Sequence, residues 1–139
     1  MSSNWCLQPP SAFDIVTAYF PESNPKGELR LRPCLVLDVF ESEDGGEFAC
    51  RVAYGTKHIK FVQRKGLDLI IQNAADLDML GLPYATRFAL DDDCYADLPW
   101  TPEFFGPWEG YPSPAISFLP EEYQKEYAYI MMLRSARGM

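Results

Sequence analysis

Residues 34–40 (CLVLDVF) are apolar on both alternating faces, and Pro33 opens the run. A half-exposed strand alternates apolar with polar residues, so a run without that alternation suggests a strand buried on both sides. A proline at a strand's first position loses no ladder hydrogen bond. The neighbouring segments carry the same β-branched and aromatic texture in short pieces. Residues 13–20 (FDIVTAYF) read as a strand stopped by Pro21, and residues 22–31, with Pro25 and Gly27, as a loop. Asp44-Gly45-Gly46 is a turn signal and predicts a hairpin to residues 48–54 (FACRVAY), where Gly55 is expected to break the strand. Residues 59–63 and 68–72 read as two further strands around Lys65-Gly66, and residues 86–90 (TRFAL) as a last one. Residues 73–80 (NAADLDML) predict a helix of one to two turns, capped by Asn73 and ended by Gly81. Five or six short strands with tight turns and one brief helix give a mainly β expectation: a small, strongly bent antiparallel sheet of the SH3-like barrel kind. A sandwich serves the periodicity nearly as well.

The 139 residues fit a single domain, with a hydrophobic fraction of 47% and a charged fraction of 23% that exclude disorder. No window approaches the roughly 18 uninterrupted apolar residues of a transmembrane helix. The first ten residues carry no basic stretch followed by an apolar block, so no secretory signal and a cytoplasmic location are expected. Cys6, Cys34, Cys50 and Cys94 form no CxxC pair and the one histidine is His58, so neither a metal site nor a cofactor is expected. Cys34 and Cys50 read as small buried thiols.

The net charge of −8 is unevenly spread. Residues 1–65 hold eight acids and eight Lys/Arg, whereas residues 66–139 hold twelve acids and four Lys/Arg. An acidic total argues against unselective nucleic-acid binding but leaves room for a local basic groove. Residues 100–114 (WTPEFFGPWEGYPSP) fit no regular element and suggest an aromatic, proline-rich strap over the barrel core of residues 13–90. Pro120 then starts a helix to about Arg134, with Tyr123, Tyr127, Ile130, Met131 and Arg134 on one stripe expected to dock on the barrel. Residues 91–139 thus read as an acidic, aromatic extension that can lie across a groove. Asp91-Asp92-Asp93 reads as a solvated acidic loop.

Two constellations carry chemistry. The first is Gly27-Glu28-Leu29-Arg30-Leu31-Arg32-Pro33, in which an arginine just before a core strand offers a planar, permanently charged fork suited to a phosphate. The second is Tyr54-Gly55-Thr56-Lys57-His58, where a strand end offers hydroxyl, ammonium and imidazole in succession, and Tyr54 can stack on a base. Lys57, Lys60, Arg64 and Lys65 are the one concentrated basic segment. Read by themselves, both constellations also fit ordinary solvated loops.

The order of these segments resembles the MazF/PemK family of toxins. Asp14-Ile15-Val16 is similar to the family's opening strand, with Phe13 in place of the usual glycine. Arg32-Pro33 followed by residues 34–37 is similar to its Arg-Pro strand, and residues 52–56 to the strand ending in threonine, with Lys57 where serine is common. Gly81-Leu82-Pro83 and Thr86-Arg87-Phe88 resemble a later loop and strand. The likeness covers residues 13–90 and leaves residues 98–139 outside the pattern. It implies a metal-independent endoribonuclease of a toxin–antitoxin system that cleaves single-stranded RNA by attack of the 2′-hydroxyl on the adjacent phosphorus. Arg32 and Thr56 are the implied catalytic pair, with Glu28 or His58 as proton acceptor and Arg30, Tyr54, Lys57 and Lys60 as substrate contacts. A two-fold homodimer and a cognate antitoxin are the implied partners. The competing expectation is the same barrel without cleavage, acting as a protein-interaction or regulatory module.

Overall fold

A computed structural model describes residues 4–19, 30–59, 67–91 and 94–138. Among these residues seven antiparallel strands form one strongly curled sheet, a half-barrel: β1 Asp14–Tyr19, β2 Leu31–Glu41, β3 Phe48–Thr56, β4 Leu69–Ile71, β5 Thr86–Phe88, β6 Tyr95–Pro99 and β7 Ala115–Phe118. The strand order is β4-β5-β3-β2-β1-β7, with β6 also paired to β3. Two α-helices complete it, α1 Ala74–Leu80 and α2 Glu121–Ala136, after a short 3-10 helix Asn4–Leu7. The mainly β expectation with a short and a C-terminal helix holds. The strand expected at residues 59–63 falls largely outside the described residues, as do Glu28, Lys60, Arg64, Lys65, Asp92 and Asp93.

The double-faced run of β2 accounts for the architecture. Leu35 joins Ile15, Ala53, Phe88, Leu119 and Ile130 on one face, while Cys34 and Val36 join Val16, Val52, Trp100 and Phe105 on the other. The first face is closed by the two helices. Tyr123, Tyr127 and Met131 of α2 pack there beside Ile130, as the helical stripe predicts. The second face is closed by the strap, whose Phe105 is fully buried and whose Trp100 stacks edge-on against Trp5, with centroids 4.9 Å apart. Cys34 and Cys50 are the expected buried thiols, and burial pushes the Cys50 thiol up to about 12. The α1 caps also hold. Asn73 accepts from the Asp76 amide at 3.1 Å, and Gly81 has φ 73°.

Three expectations need correction. The sheet does not stop at residue 90: β6 pairs with β3 from Ala49↔Pro99 to Ala53↔Tyr95, and β7 pairs with β1. The short, weakly alternating runs of β6 and β7 gave no clear signal, and their pairing partners, not their own pattern, make them strands. Gly55 does not break β3. It is where β3 passes from pairing with β6 to pairing with β5, at Gly55↔Phe88. A Cβ there would lie 2.6 Å from the Pro33 carbonyl oxygen and 3.0 Å from Phe88. Gly55→Ala should therefore destabilise the protein by roughly 1–3 kcal/mol, because the nearest clash is with backbone that cannot rotate away. A urea midpoint equal to that of the wild type would refute this.

The third correction concerns Asp91, which is 2% exposed and not part of a solvated loop. It accepts a hydrogen bond from Arg134 of α2 in a buried ion pair. Nothing in the run Asp91-Asp92-Asp93 sets its first member apart; a partner forty-three residues away does so.

Candidate functional site

Arg32 lies inside β2, opposite Ala18 of β1, and not in the loop before it. The following Pro33 sits within a central strand, a position where a missing N–H normally breaks a ladder. Here it breaks none. The β2–β3 ladder begins one residue later, at Cys34↔Tyr54. On the other side, Thr17 of β1 turns its backbone away from Pro33, donating to the Pro114 carbonyl at 2.9 Å. Arg32 is therefore held by sheet on one side, through β1. Its Cζ stands 5.5 Å from the centroid of the Tyr54 ring, a cation–π contact that restricts the side chain.

The β2–β3 ladder ends at Cys34↔Tyr54, two residues short of both Arg32 and Thr56. Thr56 ends β3 and is 2% exposed. Its Oγ1 accepts a hydrogen bond from the His58 backbone N–H at 3.2 Å, which folds residues 56–58 into a tight turn. The hydroxyl can still donate its own proton. Lys57 and His58 follow as exposed side chains.

These residues meet at one cleft of about 260 Å³, lined by Arg30, Leu31, Arg32, Thr56, Lys57, His58 and Tyr84. Five side chains singled out by the sequence come together there, from two segments of the chain. Among the described residues no carboxylate lines the cleft, and the charged side chains that do are cationic, although the chain carries a net charge of −8. Charge of one sign in a concave site focuses its field on an anion. Arginine, lysine, imidazole and hydroxyl donors around a small volume suit a phosphate oxygen cluster.

Not every expected residue is there. Tyr54 is not among the residues that line the cleft; its ring lies beside Arg32 and braces the guanidinium. The ring that does face the cleft is Tyr84, 39% exposed, in the loop between α1 and β5. Sequence reading missed it because only the curl of the sheet brings residue 84 beside residue 56. The C-terminal extension does not cover the cleft: among the described residues, none beyond Tyr84 lines it. Residues 100–118 instead pack on the sheet and extend it.

Among the described residues no group of three or more His, Cys, Asp or Glu side chains is placed to hold a metal ion, and no helix is long and apolar enough to cross a membrane. No protein-family model matches the chain, and no curated protein is similar to it at a significant level.

Proposed function

We propose that the chain is a metal-independent endoribonuclease of the MazF/PemK kind, cutting single-stranded RNA at the cleft between the ends of β2 and β3. The observation that carries this reading is the convergence of Arg30, Arg32, Thr56, Lys57 and His58 on one concavity. The volume of about 260 Å³ lies just under the roughly 300–1,000 Å³ of drug-sized ligand sites. It suits a phosphodiester and its sugar better than a whole dinucleotide.

In this reaction the ribose 2′-oxygen attacks the adjacent phosphorus and the bond from phosphorus to the 5′-oxygen breaks. The products are a 2′,3′-cyclic phosphate and a 5′-hydroxyl. Arg32 carries the central role, because its fork can bridge two phosphoryl oxygens as negative charge grows on them. Thr56 donates to one of those oxygens. His58 accepts the 2′-hydroxyl proton, the general-base role that an imidazole most often fills. Water reprotonates the leaving 5′-oxygen. Arg30 and Lys57 hold flanking phosphates, and Tyr84 offers a ring to a neighbouring base. A toxin role, a cytoplasmic setting, a cognate antitoxin and a two-fold homodimer belong to the same proposal.

The test is incubation of a long single-stranded RNA with the protein in EDTA, followed by end-group analysis. The expected result is cleavage undiminished by chelator, with cyclic phosphate and 5′-hydroxyl ends. A 3′-hydroxyl product, or loss of cleavage in EDTA, would overturn the mechanism. RNA bound tightly but left intact by folded protein would favour the non-catalytic binding module.

A further inference from the structure

Behind the cleft lies a buried ionic chain that the proposed reaction does not use. Arg87 of β5 has a side chain only 6% exposed and splits its fork. One arm, Nη1, donates to Asp68 Oδ2 at 2.6 Å; the other, Nε, donates to the backbone carbonyl of His58 at 3.1 Å. Asp68 accepts in turn from the Leu90 amide at 2.9 Å. Arg134 of α2 closes the cluster, with Nη1 3.9 Å from Asp68 Oδ1 and donating to the Leu67 carbonyl at 2.8 Å, and with Nη2 on Asp91. Two arginines and two aspartates are thus buried in a neutral group that runs from the C-terminal helix to the carbonyl of a cleft residue.

We infer that Arg87 is a positioning residue for the cleft: it fixes the turn at residues 56–58 from inside the half-barrel, and α2 fixes Arg87 through Arg134 and Asp68. The physical reason is the division of labour in the fork. A guanidinium held by a buried carboxylate has little rotational freedom, so its second arm becomes a rigid post for the His58 carbonyl. The same turn is held from the front by the Thr56 hydroxyl on the His58 amide. Both polar groups of the His58 backbone are therefore claimed, which leaves the imidazole as the part that can move. Burial makes the chain stiff, since a charged group without its partner is strongly disfavoured in a low-dielectric interior.

The inference rests on the proposed anion cleft only for its binding arm, and the test keeps the two separable. His58 is the sole histidine, so its ring proton resonances report on this site whether or not RNA is cut. Arg87→Lys in the full chain retains a cation for Asp68 and removes the second arm. The expected result is a shift and broadening of the His58 ring resonances, with inorganic phosphate binding weakened about fivefold, the worth of one lost hydrogen bond. The urea midpoint should fall modestly through the same lost bond, and a large fall with unaltered His58 resonances would assign Arg87 a merely structural role and overturn the inference. Unaltered His58 resonances and unaltered phosphate affinity would overturn the inference. Should Arg87→Lys fail to fold, amide exchange of the wild type decides. The His58 amide is then expected to open in one cooperative unit with Leu90 and Ile130, and His58 exchange at the rate of an unprotected peptide would overturn the inference.

Discussion

Arg32→Ala should lower the rate of RNA cleavage a hundred- to a thousandfold while leaving the protein folded. Removing one donor aimed at developing charge typically forfeits about 3–4 kcal/mol of transition-state stabilisation. The structural loss is much smaller. Arg32 is half-buried at the end of β2, and its contact with the Tyr54 ring is worth about 0.5–1 kcal/mol at such a site. Arg32→Lys should fail nearly as badly, since an ammonium is a point charge and cannot bridge two phosphoryl oxygens. Thr56→Val should be milder, about five- to tenfold, the equivalent of one neutral hydrogen bond of about 1 kcal/mol. Single-turnover rates on a single-stranded RNA, with circular dichroism to verify folding, are the measurement. Cleavage by Arg32→Ala at the wild-type rate would remove Arg32 from the reaction.

Truncation after Leu98 should abolish folding altogether. The acidic, aromatic extension invites the view that it is a removable cover, and its deletion would then expose an active groove. Its place in the structure implies the opposite. The cut removes β7, the partner of β1, together with the fully buried Phe105 and Leu119, the 2% exposed Trp100 and the whole of α2. Each of those large side chains contributes roughly 1.5–3 kcal/mol by burial, against a total stability of about 5–15 kcal/mol for a domain. The cut also takes Arg134 away from Asp91 and Asp68, leaving buried carboxylates short of a partner. The truncated chain should show no near-ultraviolet dichroism and no cooperative urea transition. A cooperative transition in the truncated protein would show that residues 4–98 hold a core of their own.

Reading the sequence reached the two-faced core strand, the Asp44-Gly45-Gly46 hairpin, the caps of α1 and the docking stripe of α2. These rest on local signals: periodicity, turn chemistry and the polar groups of a helix end. Even the cleft was largely legible, because Arg30, Arg32, Thr56, Lys57 and His58 lie in two short segments at the start of β2 and the end of β3, strands that pair as one hairpin. Where local signals are weak, the reading failed. Residues 95–99 and 115–118 are short and poorly alternating, and they are strands only because the open edges of β3 and β1 accept them. Gly55 looked like a break because glycine usually interrupts strands, whereas here it admits the Pro33 carbonyl.

The sequence by itself determined the class of the fold and the residue types of the cleft: strands from short β-branched runs, turns from glycine and aspartate, and a cluster of basic and hydroxyl side chains in an acidic chain. The tertiary structure alone decided which charges are buried and which rings face the cleft. Asp91 and Arg134, or Arg87 and His58, are far apart along the chain, and no local pattern distinguishes a carboxylate that will be paired in the core from one in water. That difference is set by desolvation, which acts only once α2 and β5 close over the same volume. The curl of the sheet likewise brings Tyr84 to the cleft and lays the Tyr54 ring against Arg32.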